Sequence, residues 1–299
     1  MSAVNTLRNI VYGMRVPQWS KNFFVLAPLV FGGKLGETEA LWRSVAAFIC
    51  FCLVSSALYL FNDIVDREAD RRHPRKRNRP IASGQLAVIP ALAAAMALLA
   101  LSSGLASFLG ASFLAHAVCY AALSVTYTLW LKRLLVLDAI SIGAGFALRV
   151  TGGAAAVGVQ PSHWLIMCAF LLTLYLAFDK RRLEMLLLSE ASGTHRPTLY
   201  GYSIEYLESV KLLLLCSTFV SYVLYTVAPE TVERFGTDRL VYGSVFVLYG
   251  LLRYMAVTEK SSLESDPLVL ALHDVPLLLA VAGWTLYNAL VIYREQFSL

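Results

Sequence analysis

The chain has 299 residues, of which 58% are hydrophobic and only 15% are charged, and its formal net charge is +5. This composition and the mean hydropathy of +0.63 exclude an ordinary soluble domain, in which about a quarter of the residues are charged. We therefore expect an all-α, polytopic membrane protein, and we expect no nucleic-acid partner.

Nine apolar segments are long enough to cross a bilayer as helices, since about 20 residues suffice. In chain order they cover about residues 17–33, 41–62, 88–107, 111–131, 135–156, 161–178, 206–228, 240–257 and 273–293. Because short connections join most of them, we predict one membrane domain over residues 1–299.

The distribution of Lys and Arg predicts the orientation. They are concentrated before the first segment and in the connections after the second, fourth and sixth, whereas the connections after the third and fifth contain none. By the positive-inside rule the basic connections are cytoplasmic. We predict a multi-pass protein of the plasma membrane whose active site faces the cytoplasm, with two long active-site loops at about residues 63–87 and 179–205.

A row of polar side chains lies at the end of the second apolar segment. Asn62, Asp66 and Asp70 are spaced by four residues, and Asp63 belongs to the same stretch, so all four share one helical face. Because the carboxylates repel one another, a bound cation should relieve them. Oxygen ligands favour Mg²⁺, which binds one or two carboxylates and completes its shell with water and substrate phosphates. The row predicts a site for one or two Mg²⁺ ions and a phosphate-bearing ligand.

The alternative interpretation of this stretch is a solvated charged loop. Asp63 argues against it, because a carboxylate at the end of an apolar run is costly unless it faces a cavity or a partner. The acids are followed by a basic run that closes in a compact turn rich in Pro and Gly, His73-Pro74-Arg75-Lys76-Arg77-Asn78-Arg79-Pro80-Ile81-Ala82-Ser83-Gly84. A metal together with these cations predicts a diphosphate site.

The pattern Asn62-Asp63-x-x-Asp66-x-x-x-Asp70, followed by Arg79-Pro80 and Ser83-Gly84, resembles the first signature of the UbiA superfamily of intramembrane prenyltransferases. The resemblance implies about nine helices around a lipid-accessible cavity, in which the Asp motif holds Mg²⁺ and a diphosphate.

Most members of the superfamily carry a second acidic motif, of the DxxxD kind, after the sixth span. This chain has Asp179-Lys180-Arg181-Arg182-Leu183-Glu184 there. Three consecutive cations favour direct binding of anionic oxygen over binding of a metal.

In this departure the chain is similar to one branch of the superfamily, the decaprenyl-phosphate phosphoribosyltransferases. The resemblance implies a transferase that moves 5-phosphoribose from 5-phosphoribosyl 1-diphosphate to decaprenyl (polyprenyl) phosphate and releases diphosphate. It further implies that the enzyme depends on Mg²⁺ and that its product supplies arabinose for cell-wall arabinogalactan. A homo-oligomer is left open.

The candidate site residues follow from the acidic row and the resemblance together. Asn62, Asp63, Asp66 and Asp70 are the candidate metal ligands, and the three aspartates are the candidate catalytic residues. The candidate substrate-binding residues are Gln18, Lys21, Asn62, Lys76, Arg79, Tyr127, Lys132, Arg149, Tyr175, Lys180 and Arg181.

Several of these residues also have ordinary explanations. Lys21 is either an interfacial cation or a phosphate ligand, and Tyr127 and Lys132 are equally compatible with a membrane interface. Arg149 lies deep in the fifth segment, so its role is either structural or in substrate binding.

Two other functions compete with this prediction. A UbiA-type enzyme could move a prenyl chain from its diphosphate to an aromatic acceptor, but the missing second acidic motif argues against this reaction. An ion-coupled transporter would place its binding groups near the membrane midplane, whereas these acids are at the cytoplasmic end of a span.

Overall fold

A computed structural model describes residues 3–74, 76–190, 201–260 and 273–293. Every regular element within these ranges is a helix. The chain divides into two compact units, Met1–Gln160 and Pro161–Leu299, which we describe one at a time. The single domain expected over residues 1–299 stays a prediction.

The first unit contains seven α-helices within its described residues: α1 (Ala3–Gly13), α2 (Ala27–Phe31), α3 (Thr38–Val65), α4 (Arg67–Arg72), α5 (Val88–Leu109), α6 (Ala111–Leu129) and α7 (Leu137–Val157). Three 3-10 helices connect them, at Val16–Leu26, Lys76–Asn78 and Leu131–Arg133.

Helix α3 is the centre of the first unit and packs against α5, α6, α7 and the 3-10 helix Val16–Leu26. Its side chains are apolar on all sides, as expected of a helix surrounded by other helices or lipid. Phe51 is fully buried, and its ring meets the edge of Phe113 at a centroid distance of 5.8 Å. This core fixes α3 and therefore the acidic row at its end.

The second unit contains α8 (His163–Glu190), α9 (Ile204–Val227), α10 (Pro229–Phe235), a 3-10 helix (Arg239–Gly243), α11 (Ser244–Lys260) and α12 (Val275–Ile292) within the residues that the structure describes. Helix α8 packs against α9, and α11 packs against α12.

The predicted loop 179–205 differs from the structure in its first part. Residues 179 to 190 continue α8, because Leu, Lys, Arg, Glu and Met favour helix and because ion pairs at i,i+3 link Asp179 to Arg182 and Arg181 to Glu184. The next part of that predicted loop, residues 191–200, lies outside the described residues.

Among the described residues, eight helices are long and apolar enough to cross a membrane, and the all-α, polytopic membrane architecture is confirmed. The first apolar segment, predicted as a helix over 17–33, instead forms the 3-10 helix Val16–Leu26 and the short helix α2. Pro28 explains the difference, because it has no N–H to donate to the carbonyl of Phe24. The amide of Ala27 donates to that carbonyl and closes a tighter turn.

Candidate active site

The acidic row lies across the junction between α3 and α4. Helix α3 ends at Val65, and Asp66 is the junction residue. The amide of Asp66 donates to the carbonyl of Asn62 at 2.9 Å, and the amide of Asp70 donates to that of Asp66 at 2.8 Å. Helical spacing therefore continues through the junction, and the predicted common face of the row is kept.

Each carboxylate of the row pairs with at least one cation that lies outside the row but within the first unit. Arg79 Nη1 donates to Asp63 Oδ1 at 3.0 Å and to Asp70 Oδ2 at 2.6 Å. Two further ion pairs join Arg15 to Asp63 Oδ1 and Lys132 to Asp66 Oδ1. Asp63 is 2% and Asp70 4% exposed, whereas the side chain of Asp66 is 27% exposed. The structure thus brings together five charged residues that sequence reasoning singled out, and it adds Arg15.

Apolar packing holds the loop that carries Arg79 against helices α3 and α5. Ile81 and Leu86 are each 2% exposed and pack with Leu60 of α3 and Ala91 of α5. The amide of Leu86 donates to the carbonyl of Pro80 at 2.8 Å. Burying two large aliphatic side chains stabilises such a turn by about 3 kcal/mol or more, so the loop holds Arg79 in place between two carboxylates.

The oxygen atoms of the acidic row are the candidate ligands of a metal ion. Within the described residues, no three His, Cys, Asp or Glu side chains gather as ligands around one point. Asp63 and Asp70 share Arg79, whereas Asp66 faces Lys132. Mg²⁺ needs only one or two carboxylates when phosphate and water supply the rest of its shell. The ion pairs of Asp63, Asp66 and Asp70 each use one oxygen, and Asn62 adds an amide oxygen. The donor set therefore fits Mg²⁺ that arrives with a phosphate ligand.

The 3-10 helix Val16–Leu26 places two different sets of side chains on two faces. With three residues per turn, Arg15, Gln18 and Lys21 fall on one face. The face formed by Trp19, Asn22 and Val25 is directed at the core, since Val25 is fully buried and Trp19 Nε1 donates to Ser56 Oγ at 3.0 Å. The candidate substrate residues Gln18 and Lys21 thus share a face with the arginine that binds Asp63.

Arg149 lies at the centre of a buried polar network. It is 4% exposed and donates to Asn22 Oδ1 at 2.7 Å, to Tyr120 Oη at 2.7 Å and to the carbonyl of Gly145 at 3.0 Å. Its guanidinium also lies 4.5 Å from the centroid of the Tyr120 ring. These contacts support the structural alternative for Arg149, because they connect α7 to α6 and to the 3-10 helix Val16–Leu26.

The other candidates of the first unit lie around the acidic row or on the loop after it. Asn62 Oδ1 accepts a hydrogen bond from Thr128 Oγ1 at 3.2 Å, so the end of α6 contacts the row directly. Tyr127, next to that threonine, is half-buried, and so is Lys76 on the short 3-10 helix after α4.

Three candidates belong to the second unit, where all lie on α8. Tyr175 and Arg181 are buried and Lys180 is exposed. Beside them Asp179 is fully buried. It accepts contacts from Lys211 Nζ at 2.5 Å, Arg182 Nε at 3.4 Å and Tyr254 Oη at 3.3 Å. A single carboxylate held by two cations differs from a metal-binding acidic pair, and direct binding of a substrate anion by Lys180 and Arg181 stays a prediction.

Sequence reasoning missed Arg15 and Lys211. Arg15 pairs with an acid 48 positions away, and no local spacing could reveal that contact. Lys211 did carry a signal, because it stands alone before the apolar run Leu212–Leu215 in a membrane-spanning helix. An ionisable residue at such a position normally has a partner within the protein.

Comparison with known proteins defines the class. Residues 24–184 match the UbiA prenyltransferase family. The chain is 34% identical over 97% of its length to the decaprenyl-phosphate phosphoribosyltransferase of Corynebacterium glutamicum, of which it covers 88%. It is 30% identical to the protein of the same name from Mycolicibacterium smegmatis, with coverage of 94% of this chain and 91% of that one. The chain belongs to the UbiA prenyltransferase family.

A solved structure supports the fold. The UbiA homologue from Archaeoglobus fulgidus bound to GPP and Mg²⁺ superposes with a TM-score of 0.72, over 95% of this chain and 99% of that one, at 18% identity. At that identity the likeness concerns the fold alone. The two relatives from Corynebacterium glutamicum and Mycolicibacterium smegmatis are both named for phosphoribosyl transfer to decaprenyl phosphate.

Proposed function

We propose that this protein is a polyprenyl-phosphate phosphoribosyltransferase. It transfers 5-phosphoribose from 5-phosphoribosyl 1-diphosphate to decaprenyl phosphate or a similar polyprenyl phosphate, releases diphosphate and depends on Mg²⁺. The product is a lipid-linked precursor for cell-wall arabinan. The observation that carries this proposal is the acidic row paired with Arg79 and Lys132, in a chain whose full-length relatives bear the name of that activity.

The reaction joins a phosphate oxygen of the lipid to the anomeric carbon of the ribose, while the bond from that carbon to the diphosphate breaks and diphosphate leaves with the electron pair. A phosphomonoester has a second pKa near 6, so the lipid phosphate is mostly doubly ionised at pH 7 and needs no general base. The protein must therefore align two anions and stabilise the leaving group. A row of acids flanked by cations is suited to that task.

The residues of the first unit divide these tasks. Asn62, Asp63, Asp66 and Asp70 would hold the metal, and bound Mg²⁺ supplies Lewis-acid neutralisation of charge on the leaving diphosphate. Arg79 and Lys132 turn from carboxylate to phosphate oxygens, for which Arg offers a planar fork and Lys a point charge. Lys21, Gln18, Lys76 and Tyr127 are the remaining proposed contacts of the phosphates and the ribose.

In the second unit, taken by itself, we propose that α8 binds an anionic group of a substrate through Lys180 and Arg181, next to Tyr175. The buried ion pair of Asp179 with Lys211 keeps this end of the helix packed. We also propose that the protein lies in the plasma membrane with the acidic row facing the cytoplasm, since the basic connections predict that orientation.

A two-substrate assay tests the proposal. Purified protein is incubated with 5-phosphoribosyl 1-diphosphate and polyprenyl phosphate, with and without a chelator of divalent ions, and diphosphate and the phosphoribosyl lipid are measured. Product that forms only in the unchelated sample supports the proposal. Activity confined to a prenyl diphosphate and an aromatic acceptor would overturn it in favour of prenyl transfer.

A further inference from the structure

Within the described residues, the ion pairs of the acidic row join equal numbers of negative and positive charges. Asp63, Asp66 and Asp70 supply three negative charges, and Arg15, Arg79 and Lys132 supply three positive charges in the ion pairs described above. Around them the stretch from 62 to 79 carries seven Lys and Arg residues against four Asp and Glu residues. A divalent cation alone therefore meets acids that already have counter-ions, in a region with an excess of positive charge.

Backbone strain is located beside two of these cations. Among the described residues, Arg15 and Val136 are the non-glycine residues with positive φ, 53° and 66°. Val136 is four residues after Lys132, in the same connection to α7. Such conformations cost about 1 to 3 kcal/mol each and persist where the surroundings require them. The strain at Arg15 indicates that the fold specifies the position of this residue, whereas Val136 marks the start of α7 in the connection that carries Lys132.

We infer that Arg15 and Lys132 are built-in counter-ions that make this site select a metal–diphosphate complex over the free metal. The inference rests on the proposed function; it adds Arg15 to the site and gives Lys132 a second role. Free Mg²⁺ would have to displace the cations that already pair with these carboxylates, and it brings no anion to replace the lost partner. A diphosphate that enters with Mg²⁺ gives those cations new oxygen partners, while the carboxylates take the metal.

The inference predicts that replacing Lys132 changes two binding affinities in opposite directions. Removing the Lys132 ammonium leaves Asp66 without this ion pair. The affinity of the site for Mg²⁺ alone should rise, because the ammonium no longer competes with Mg²⁺ for the carboxylate. The same change removes a donor to phosphate and lowers affinity for the complex of Mg²⁺ with diphosphate. For a partly exposed unit charge, each effect should be about tenfold.

Isothermal titration calorimetry of the purified protein in detergent measures both affinities without turnover. Mg²⁺ alone, inorganic diphosphate alone and the two together are titrated into the wild type and into Lys132→Met. The wild type should bind the pair at least about tenfold more tightly than Mg²⁺ alone. Lys132→Met should reverse much of that preference. Asp66 is partly exposed, so this variant is expected to fold, and a thermal unfolding scan checks it.

Two further variants complete the design. Asp66→Asn combined with Lys132→Met removes the freed carboxylate, so the gain in affinity for bare Mg²⁺ should disappear. Lys34→Met breaks a solvent-exposed pair with Glu37 before the opposite end of α3, about 40 Å from Asp63 at 1.5 Å per residue. It should leave both affinities unchanged.

The outcomes separate this inference from the proposed function. Tight binding of bare Mg²⁺ to the wild type, or no rise in Lys132→Met, overturns the inference even where the two-substrate assay succeeds. Failure of the wild type to bind the Mg²⁺ and diphosphate pair at all, together with failure of that assay, overturns the proposed function.

Discussion

Asn22 accepts a hydrogen bond of 2.7 Å from Arg149, a residue 127 positions later in the chain. The bond joins the 3-10 helix Val16–Leu26 to α7, and through Asn22 Nδ2 the contact extends to Cys52 Sγ on α3 at 3.2 Å. The internal hydrogen bonds of a 3-10 helix have poorer geometry than those of an α-helix. The position of Val16–Leu26, and with it the position of Arg15, therefore depends on polar contacts made by α7.

The variant Arg149→Met should reduce stability by about 2 kcal/mol, because Asn22 and Tyr120 lose their buried partner. Arg149→Lys should recover part of the loss, since an ammonium can reach only some of the three acceptors. Thermal unfolding in detergent provides the measurement. Equal stability of Arg149→Met and the wild type would contradict the structural role.

The variant Gly153→Ala tests the same packing without removing a polar group. A Cβ at Gly153 would lie 2.0 Å from the carbonyl oxygen of Val25, so the backbone of the 3-10 helix must move. We expect a loss of about 1 to 3 kcal/mol and a reduced turnover. The matched control is Gly104→Ala in α5, where a Cβ meets nothing within 4 Å. It should be neutral or stabilising by up to about 1 kcal/mol.

The variant Asp66→Asn should abolish turnover while the protein stays folded, because Asp66 is the most exposed carboxylate of the row and a proposed metal ligand. Product formation and the unfolding temperature are measured on one preparation. Glu68→Gln is the control, since Glu68 pairs with Arg71 on the surface of α4 and is not part of the row. Retained turnover in Asp66→Asn would refute the metal role.

In the second unit, Lys211→Met should cost about 3 kcal/mol or more, because it removes a partner from the fully buried carboxylate of Asp179. The double variant Asp179→Asn with Lys211→Met should be markedly more stable than Lys211→Met alone, as it removes the buried carboxylate that has lost one of its two cations. Chemical denaturation of the wild type, of Lys211→Met, of Asp179→Asn and of the double variant gives the coupling between the two residues. Strict additivity would show that the pair contributes nothing.

The start of α12 offers a test of pH dependence. Two hydrogen bonds from Arg253, at 2.8 and 3.1 Å, and the amide of Leu277 lower the pKa of Asp274 below its ordinary value of 3.8. A carboxylate with a lowered folded-state pKa stabilises the protein above its unfolded pKa, and the contribution is lost as the pH falls through the folded value. Asp274→Asn should therefore unfold at a lower temperature than the wild type at pH 7. That difference should shrink below about pH 4, whereas a difference independent of pH would contradict it.

Much of the first unit could be predicted because its signals are local. The row from Asn62 to Asp70 follows helical spacing, and the turn after Arg79 is defined by Pro80 and Gly84, whose φ of 81° suits glycine. Long-range partners could not be predicted, since nothing in the spacing of Arg15 or Lys132 indicates which acid each one binds. The sequence did not reveal that α8 continues through Glu190. Its charged residues are typical of a loop, and their i,i+3 ion pairs are visible only in the structure.

The first apolar segment shows how much distance along its axis a 3-10 helix covers per residue. A 3-10 helix rises about 2.0 Å per residue, so the 11 residues of Val16–Leu26 advance about 22 Å, and the five of α2 add about 7.5 Å at the α-helical rise. Laid end to end, sixteen residues match the hydrocarbon thickness of about 30 Å that an α-helix needs about twenty residues to traverse. Such tight winding would let these sixteen residues make the crossing that the sequence predicts, in addition to the eight long helices among the described residues. It also makes the crossing intolerant of length change, because one inserted residue turns everything beyond it by about 120° and carries Asn22 away from its arginine.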